Sequence, residues 1–381
     1  MAEWIKLSIP HLGGKEKEYV DRAIDSTWIV PLGPAVDEFE QRLEQYIGNN
    51  TRIVALSAGT AAIHLGLILA GVKAGDEVIC QSMTFAASAN PIAYIGAKPV
   101  FVDSESDTWN IAPALIERAI LDRIAKGRKP SAIVFVDLYG MPAKIAEISA
   151  IAARYEIPLI EDAAEAIGSE YDGKMCGSFG SFGVLSFNGN KMITTSGGGA
   201  LICHNEEDAK RALFLATQAR ENKPYYYHET IGYNYRLSNV SAAIGCAQHE
   251  VLPERVARRR AICDIYRRAF EGNPLIKLHD NPDPKFNSNF WLSTILISEE
   301  AAVSPDQLRQ ELMSECIETR LLWRPMHMQP VFADAPSYLA EGYENGLSGE
   351  LFRRGLCLPS SSTLTDEQIA HVAQRIIDIV K

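Results

Sequence analysis

Lys191 stands in an unusual setting for a lysine, because small, hydroxyl and glycine residues surround it in the run SFNGNKMITTSGGG. A lysine in a partly desolvated pocket can form a Schiff base with an aldehyde, and glycines let a flat ring approach the backbone. A solvated loop lysine is the competing interpretation. Lysine is so common on protein surfaces that the residue alone favours this second interpretation.

Thr60 and Asp162 occupy two further points at which a ligand can bind. A turn of small residues in LSAGTAAIHL opens a helix at about Thr60, and the free N–H groups of a helix start favour a phosphate. A plain helix N-cap explains the same residue. Asp162 ends the apolar strand IPLIED, where its carboxylate can hold a positive ring nitrogen. A helix cap or a structural ion pair is the alternative for Asp162.

These three residue types together describe one cofactor. A phosphate site, a carboxylate for a ring nitrogen and an amine for an aldehyde match pyridoxal phosphate, which itself carries the carbanion chemistry. Phe85, in MTFAAS, can stack on the face of the ring, although a core aromatic residue fits equally well. The combination predicts an enzyme that depends on pyridoxal phosphate.

Composition limits the class of protein. The chain has 381 residues, 47% of them hydrophobic, and a formal net charge of −11, which is typical of two soluble domains and argues against nucleic acid as a partner. Seven scattered cysteines form no CxxC pair, so we expect neither a metal site nor disulfides. No apolar leader and no membrane-length apolar segment is visible. We therefore expect a cytoplasmic protein with no membrane partner.

Short apolar runs alternate with helical patterns between residues 50 and 205. This order predicts an α/β fold with a mainly parallel sheet covered on both faces, whose ligands bind beyond the carboxyl ends of the strands. The predicted strands are 76–81, 98–103, 131–137, 157–162, 182–187 and 199–204. The predicted helices between them include 60–72 and 144–156.

The pattern changes after residue 236. A long helical stretch over 239–272 is interrupted only at Pro253, and a last helix is predicted over 365–380 from apolar residues at helical spacing. The segment 279–289 is predicted to be a loop. We place a domain boundary near residue 245, which gives a large cofactor-binding domain, 1–245, and a small C-terminal α/β domain, 246–381.

Five motifs in a fixed order resemble the DegT/DnrJ/EryC1/StrS family of sugar aminotransferases, and they cover essentially the whole chain. They are SAGTAA, MTFAAS, LIEDAAEAIG, SFNGNK-ITTSGGG and GYNYRLSNVSAAIG. The resemblance implies the fold-type I architecture of pyridoxal phosphate enzymes, with a seven-stranded type of sheet, and a homodimer with shared active sites. A histidine in place of Lys191 would mark the dehydratases of the family.

The resemblance also implies a role for each matching residue. Lys191 would be the Schiff-base lysine and proton shuttle, Asp162 would hold the ring nitrogen, and Glu165 would lie near the ring hydroxyl. The remaining cofactor contacts carried over are Thr60, Ala61 and Ser186 for the phosphate, Phe85 for the ring face, and Asn234 for the phosphate of the other subunit's cofactor.

Other segments, among them TQARE and ETRLLWRPMHMQPVF, resemble the 4-aminotransferases of N-acetylbacillosamine-type pathways. This implies L-glutamate as amino donor and UDP-2-acetamido-4-keto-2,6-dideoxyhexose as acceptor, giving UDP-4-amino-4,6-dideoxy-N-acetylglucosamine. GDP-perosamine and dTDP-sugar 3- or 4-aminotransferases share the same core motifs and stay open as alternatives. Asn188, Arg324 and His327 are the candidates for substrate contact, with structural roles as the alternative for each.

Three other classes compete. A non-catalytic regulator that binds pyridoxal phosphate predicts a fused DNA-binding segment, and no basic helix-turn-helix stretch is visible. A nucleotide-binding dehydrogenase needs GxGxxG after its first strand, which SAGTAA does not supply. An amino-acid aminotransferase, which usually binds its substrate's carboxylate with an arginine, stays open.

Overall fold

Twelve α-helices are present in the computed structural model, which describes residues 4–381. They are α1 Glu16–Asp25, α2 Pro34–Ile47, α3 Gly59–Leu69, α4 Ala86–Tyr94, α5 Pro113–Ala125, α6 Ile145–Arg154, α7 Glu206–Ala216, α8 Asn239–Glu250, α9 Leu252–Phe270, α10 Pro305–Ser314, α11 Gly346–Arg354 and α12 Asp366–Val380. None of these helices combines the length and the apolar character that a bilayer crossing requires.

Fifteen strands accompany the helices of the described residues. They are β1 Arg52–Leu56, β2 Glu77–Gln81, β3 Lys98–Val102, β4 Ala132–Val136, β5 Leu159–Asp162, β6 Glu170–Tyr171, β7 Lys174–Met175, β8 Phe182–Ser186, β9 Gly199–Cys203, β10 Ile276–Leu278, β11 Phe286–Asn287, β12 Thr294–Ile297, β13 Arg320–Leu321, β14 Ser337–Tyr338 and β15 Gly355–Cys357.

The largest sheet has eight strands in the order β1-β9-β8-β5-β4-β2-β3-β14. Only β9 runs against its neighbours, so the expected mainly parallel sheet is confirmed. All six predicted strands are present, each within two residues of its expected start and end. Strand β1 and the two-residue edge strand β14 were not predicted, and β14 is an eighth member beside the seven that were expected.

Helices cover both faces of this sheet, because its strands are apolar on both sides. Along β4, Ile133 and Phe135 pack into one buried cluster, while Ala132 and Val134 pack into the opposite one. Helices α2, α5, α6 and α8 contribute to the first cluster, and α3, α4 and α7 contribute to the second. A near-continuous apolar strand is what a parallel sheet buried on both faces requires.

The later part of the chain builds a second, smaller sheet of four antiparallel strands in the order β10-β12-β15-β13. Helices α9, α10 and α12 pack on it around their own apolar core. The predicted last helix is confirmed as α12, and the long helical stretch is divided at Val251, with Pro253 in the first turn of α9. The predicted loop 279–289 contains the short strand β11.

The N-terminal segment packs with this later part of the chain. Ile5 forms a parallel bridge with Ile317 and belongs to the apolar core of the small sheet. The backbone N–H of Ser360 donates to the carbonyl of Leu7 at 2.8 Å. The division into 1–245 and 246–381 stays a prediction, and the first three residues of its large domain lie outside the described residues.

Candidate active site

One cavity of about 580 Å³ lies at the edge of the large sheet where the parallel strands end. Asp162 is the last residue of β5 and Ser186 the last of β8, and both line it. The structure brings eight of the eleven predicted site residues onto this wall. They are Thr60, Phe85, Asp162, Glu165, Ser186, Asn188, Lys191 and Arg324.

Lys191 projects into this cavity with 13% of its side chain exposed. Its Nζ donates to Glu165 Oε1 at 3.1 Å and lies 4.2 Å from the centre of the Trp291 indole ring. The carbonyl of the preceding residue, Asn190, accepts from Ser8 Oγ at 2.9 Å and from Trp291 Nε1 at 2.8 Å. Two distant segments therefore hold the backbone that carries the lysine.

Asp162 is buried, with 4% of its surface exposed. Its Oδ2 accepts from Ser88 Oγ at 2.6 Å, and its Oδ1 accepts from the backbone N–H of Ala164 at 3.2 Å. Burial raises the pKa of the carboxyl group, while the Ser88 hydrogen bond and the charge of Lys191 oppose that rise. An ionised carboxylate in this position favours a protonated base as its ligand.

Glu165 lies between the lysine and a strained turn. Its Oε2 accepts from the backbone N–H of Tyr139 at 2.7 Å. Tyr139 has a φ of 56°, a left-handed conformation that is uncommon for a residue with a side chain, and its hydroxyl accepts from the backbone N–H of Trp323 at 2.9 Å. Burial raises the pKa of Glu165, and the Lys191 charge opposes it. The turn thus fixes the carboxylate that contacts the lysine.

The first turn of α3 borders the cavity with free backbone N–H groups. Thr60 is its second residue, and the side chain of Ser186 lies against it, since a Cβ on Gly59 would be 3.5 Å from Ser186 Oγ. A Cβ on Gly199 would lie 2.3 Å from the backbone nitrogen of Gly59, so β9 approaches α3 as only glycine permits. N–H groups and two hydroxyls at a helix start are the donors that a phosphate requires. Together with Asp162 and Lys191, they fit pyridoxal phosphate.

Three predicted residues do not line the cavity: Ala61, Asn234 and His327. Ala61 is buried within α3. Asn234 is exposed, and its Oδ1 accepts from Gln218 Nε2 at 3.1 Å. The Nδ1 of His327 lies 2.6 Å from Ser82 Oγ, and burial lowers the pKa of this histidine. His327 therefore connects the segment after β2 to the segment that carries Arg324.

The mouth of the cavity combines aromatic and basic side chains. Phe85 is 60% exposed, and its ring centre lies 5.2 Å from that of Trp323. Arg320 forms a 3.1 Å ion pair with Glu318 on the rim. Arg324 is exposed beside them, and within residues 4–381 no carboxylate pairs with its guanidinium. The mouth therefore presents an available cation next to two rings.

Several residues of the site were missed by the sequence reasoning. Ser88 and Trp291 line the cavity and contact Asp162 and Lys191 respectively. Arg259 is 1% exposed and donates to Ser8 Oγ at 2.9 Å and to the carbonyl of Trp291. Ser88 is the last residue of the motif MTFAAS, so the motif could have identified it as a site residue. Trp291 lies just after the predicted loop 279–289, and no local pattern marks it.

Comparison with known proteins places the chain among aminotransferases along its whole length. The sequence model described as the DegT/DnrJ/EryC1/StrS aminotransferase family matches residues 10–377. EpsN of Bacillus subtilis (strain 168), whose name describes a pyridoxal phosphate-dependent aminotransferase, is 46% identical over 380 residues, which cover 100% of this chain and 96% of EpsN.

Two further relatives agree with this match. The GDP-perosamine synthase of Escherichia coli O157:H7 is 36% identical over 375 residues and covers 98% of each chain. The crystal structure of a DegT DnrJ EryC1 StrS aminotransferase from Brucella abortus superposes with a TM-score of 0.88 at 30% identity, covering 96% of this chain and 95% of that one.

Proposed function

Because the chain belongs to the DegT/DnrJ/EryC1/StrS aminotransferase family and is a pyridoxal phosphate-dependent sugar aminotransferase, we propose that it moves the amino group of L-glutamate to a nucleotide-linked 4-keto-6-deoxy sugar. The acceptor we favour is UDP-2-acetamido-4-keto-2,6-dideoxyhexose, and the product is UDP-4-amino-4,6-dideoxy-N-acetylglucosamine. The observation that supports the reaction is the meeting of Lys191, Asp162 and the α3 N-terminus at one cavity.

In this proposal some residues of the cavity bind the cofactor, and others transfer protons. When bound, pyridoxal phosphate supplies an electron sink for a carbanion next to the reacting nitrogen. The N–H groups of the first α3 turn, with Thr60 and Ser186, would hold the phosphate. Asp162 would hold the ring nitrogen in its protonated form, which strengthens the sink. Phe85 would cover one face of the ring.

Lys191 is the proton carrier in this proposal. Its Nζ is the one lysine amine on the cavity wall of the described residues, and it would take the α-proton of glutamate and return a proton to the sugar carbon. Glu165, 3.1 Å away, orients the amine and balances its charge. Because the same amine serves both half-reactions, the residue that anchors the cofactor is also the residue that moves the proton.

The basic mouth supports a nucleotide-linked acceptor. Arg324 has a free guanidinium there, and a diphosphate is a doubly charged group that such a fork binds well. Asn188, exposed on the same wall, offers an amide to a sugar hydroxyl or carbonyl. His327 would act only indirectly, through Ser82.

A GDP-linked acceptor is the second candidate. The similarity to a GDP-perosamine synthase, 36% identical over nearly the whole chain, favours it. Both candidates are 4-keto sugars on a diphosphate, so they make the same demands on Lys191 and Arg324. They differ in the base and in the substituent at the second sugar carbon.

We also propose a homodimer with shared active sites. Asn234 is exposed and does not line its own cavity, which is compatible with a role in the partner's phosphate site. Three consecutive exposed tyrosines, Tyr225, Tyr226 and Tyr227, lie on the same segment, and such rings are common in protein interfaces.

We propose in addition that the enzyme is cytoplasmic. All seven cysteines are unpaired, which supports this location.

The experiment that tests the substrate is a panel of nucleotide-linked keto sugars incubated with L-glutamate and analysed by mass spectrometry. We expect the UDP-linked acceptor to gain one amino group and release an equal amount of 2-oxoglutarate. Faster conversion of the GDP-linked sugar would select the second candidate. Amination of an amino-acid-derived keto acid, with no sugar converted, would contradict both.

A further inference from the structure

Three side chains form a buried hydrogen-bonded chain beside the cavity. Thr84 Oγ1 lies 2.7 Å from Ser88 Oγ, and Ser88 Oγ lies 2.6 Å from Asp162 Oδ2. Thr84 and Ser88 are each 1% exposed, and both line the cavity. Ser88 lies in the first turn of α4, whereas Asp162 ends β5, so the chain connects two elements 74 residues apart in sequence.

The direction of the hydrogen bonds follows from the number of protons. Asp162 has only acceptors when it is ionised, so Ser88 must donate its single hydroxyl proton to Oδ2. Ser88 then has only lone pairs left, and Thr84 must donate to it. A donor that is itself hydrogen-bonded in this way is polarised, and a short hydrogen bond to a charged acceptor is a strong one.

We propose that Ser88, supported by Thr84, is a positioning residue that holds the Asp162 carboxylate ionised and in one orientation, with its remaining lone pairs available to the ring nitrogen of the cofactor. This rests on the proposed role of Asp162 in cofactor binding. Without Ser88, the only other hydrogen bond to the carboxylate within the described residues comes from the Ala164 N–H at 3.2 Å.

The surroundings of Asp162 explain why such a donor is needed. Burial raises the pKa of Asp162, and Glu165 is a second buried carboxyl group of the same cavity. Burial and, after it, the Asp162 charge raise the pKa of the Cys80 thiol, which lies on β2. Lys191 is the opposing cation, but it must be free to react with the cofactor. Ser88 is a neutral donor that stabilises the ionised form of Asp162 and does not itself react with the cofactor.

The test is the affinity of the full-length protein for pyridoxamine 5′-phosphate, measured by equilibrium dialysis between pH 5 and 8. This probe has no aldehyde, so Lys191 forms no bond with it. We expect Ser88→Ala to weaken binding about tenfold, as for loss of a hydrogen bond to a charged group. In wild type the affinity should fall at low pH, where Asp162 becomes protonated; we call this part of the profile the acid limb. In Ser88→Ala the acid limb should move to higher pH, because the Asp162 carboxyl group then protonates more readily.

One further variant and one control complete the test. Thr84→Val keeps the Ser88 donor, so its loss of affinity should be smaller than that of Ser88→Ala. The control is Ser348→Ala, which removes another fully buried serine hydroxyl, one that has no hydrogen-bond partner in the described residues. Circular dichroism should show that all three variants keep the fold.

Unchanged affinity and an unchanged acid limb in folded Ser88→Ala would overturn the proposal. An equal loss in Ser348→Ala would overturn it too, because the effect would then be general to packing. These outcomes are separate from the substrate test, since affinity for the cofactor does not depend on which sugar is aminated. A wild-type protein that aminates no sugar, with Ser88→Ala still weakened, would contradict the proposed function alone.

Discussion

Two side chains contact the amine of Lys191, and they have opposite characters. Glu165 is a buried acid at 3.1 Å, and Trp291 presents its ring face at 4.2 Å. We predict that Lys191→Ala keeps the fold but lowers turnover by roughly 10³-fold, because the amine is both anchor and base. Product formation followed by mass spectrometry, with circular dichroism, checks this. Lys210→Ala, on the exposed face of α7, is the control and should retain turnover.

Borohydride treatment tests the same assignment chemically. We expect reduction to fix the cofactor on the peptide that contains Lys191. A different labelled lysine would show that the assignment is wrong, whatever the activity of the alanine variant.

Trp291 contributes a ring and a donor, and two substitutions separate them. Trp291→Phe keeps a ring near Lys191 but loses the Nε1–H bond to the Asn190 carbonyl, worth about 1 kcal/mol, so turnover should fall a few-fold. Trp291→Leu loses the ring as well, and should cost about tenfold or more. Steady-state turnover with saturating cofactor distinguishes them. Equal activity of both variants would mean that the ring face does not act on the lysine.

At the scale of elements, the approach of β9 to α3 depends on one glycine. A Cβ on Gly199 would be 2.3 Å from the Gly59 nitrogen, whereas a Cβ on Gly189 would meet no atom closer than 3.9 Å. We predict that Gly199→Ala displaces the first turn of α3, costs about 1–3 kcal/mol and lowers cofactor retention. Gly189→Ala is the matched control, because Gly189 does not line the cavity, and it should behave as wild type. Thermal unfolding and the absorbance of bound cofactor after gel filtration measure both effects.

Six strands of the large sheet were predicted because each is an apolar run with a polar end. The parallel order and the position of Asp162 at a strand end follow from that pattern. Strand β14 was not predictable, since two residues carry no periodicity and their pairing with β3 is made by a segment more than 200 residues later. Ser88 and Trp291 were not predicted as site residues for the same reason. Their partners, Asp162 and Lys191, are distant in sequence.

At the scale of the molecule, a buried histidine joins the early and late parts of the chain. His279 stacks on Trp109, with ring centres 3.8 Å apart, and burial lowers its pKa to about 4. The unfolded chain binds a proton at His279 near pH 6.5, so it holds more protons than the folded state between pH 6.5 and about 4. The stability from this group is therefore complete above pH 6.5 and is lost as the pH falls to about 4.

We predict that protonation linked to His279 lowers the free energy of unfolding by about 3 kcal/mol as the pH falls from 6.5 to about 4. Urea unfolding of His279→Phe, which keeps an aromatic stack, should show a flatter dependence on pH than wild type. His204→Phe, at an exposed position, should leave the wild-type slope unchanged. Parallel slopes for wild type and His279→Phe would contradict the prediction.

The proposed homodimer with shared active sites gives a prediction for mixed subunits. Lys191→Ala and Asn234→Asp are each expected to be inactive, the second because it sets a negative charge against the phosphate. In a heterodimer both lesions fall in one site and the other site is intact. After random exchange of equal amounts, activity should recover to about a quarter of wild type, since half of the dimers carry one good site. No recovery despite proven exchange would place Asn234 in its own subunit's site or in none.

The bridge between Ile5 and Ile317 has a consequence for synthesis on the ribosome. The two residues are about 310 positions apart, so at 5–20 residues per second the N-terminal segment waits roughly 15–60 s for its partner. During that time seven of the eight strands of the large sheet can assemble as they emerge, while Ile5 has no bridge partner. The segment that contacts the Asn190 carbonyl through Ser8 is thus translated long before the segment to which Ile5 docks. Cofactor capture by a nascent chain should therefore lag behind the folding of the sheet that surrounds it.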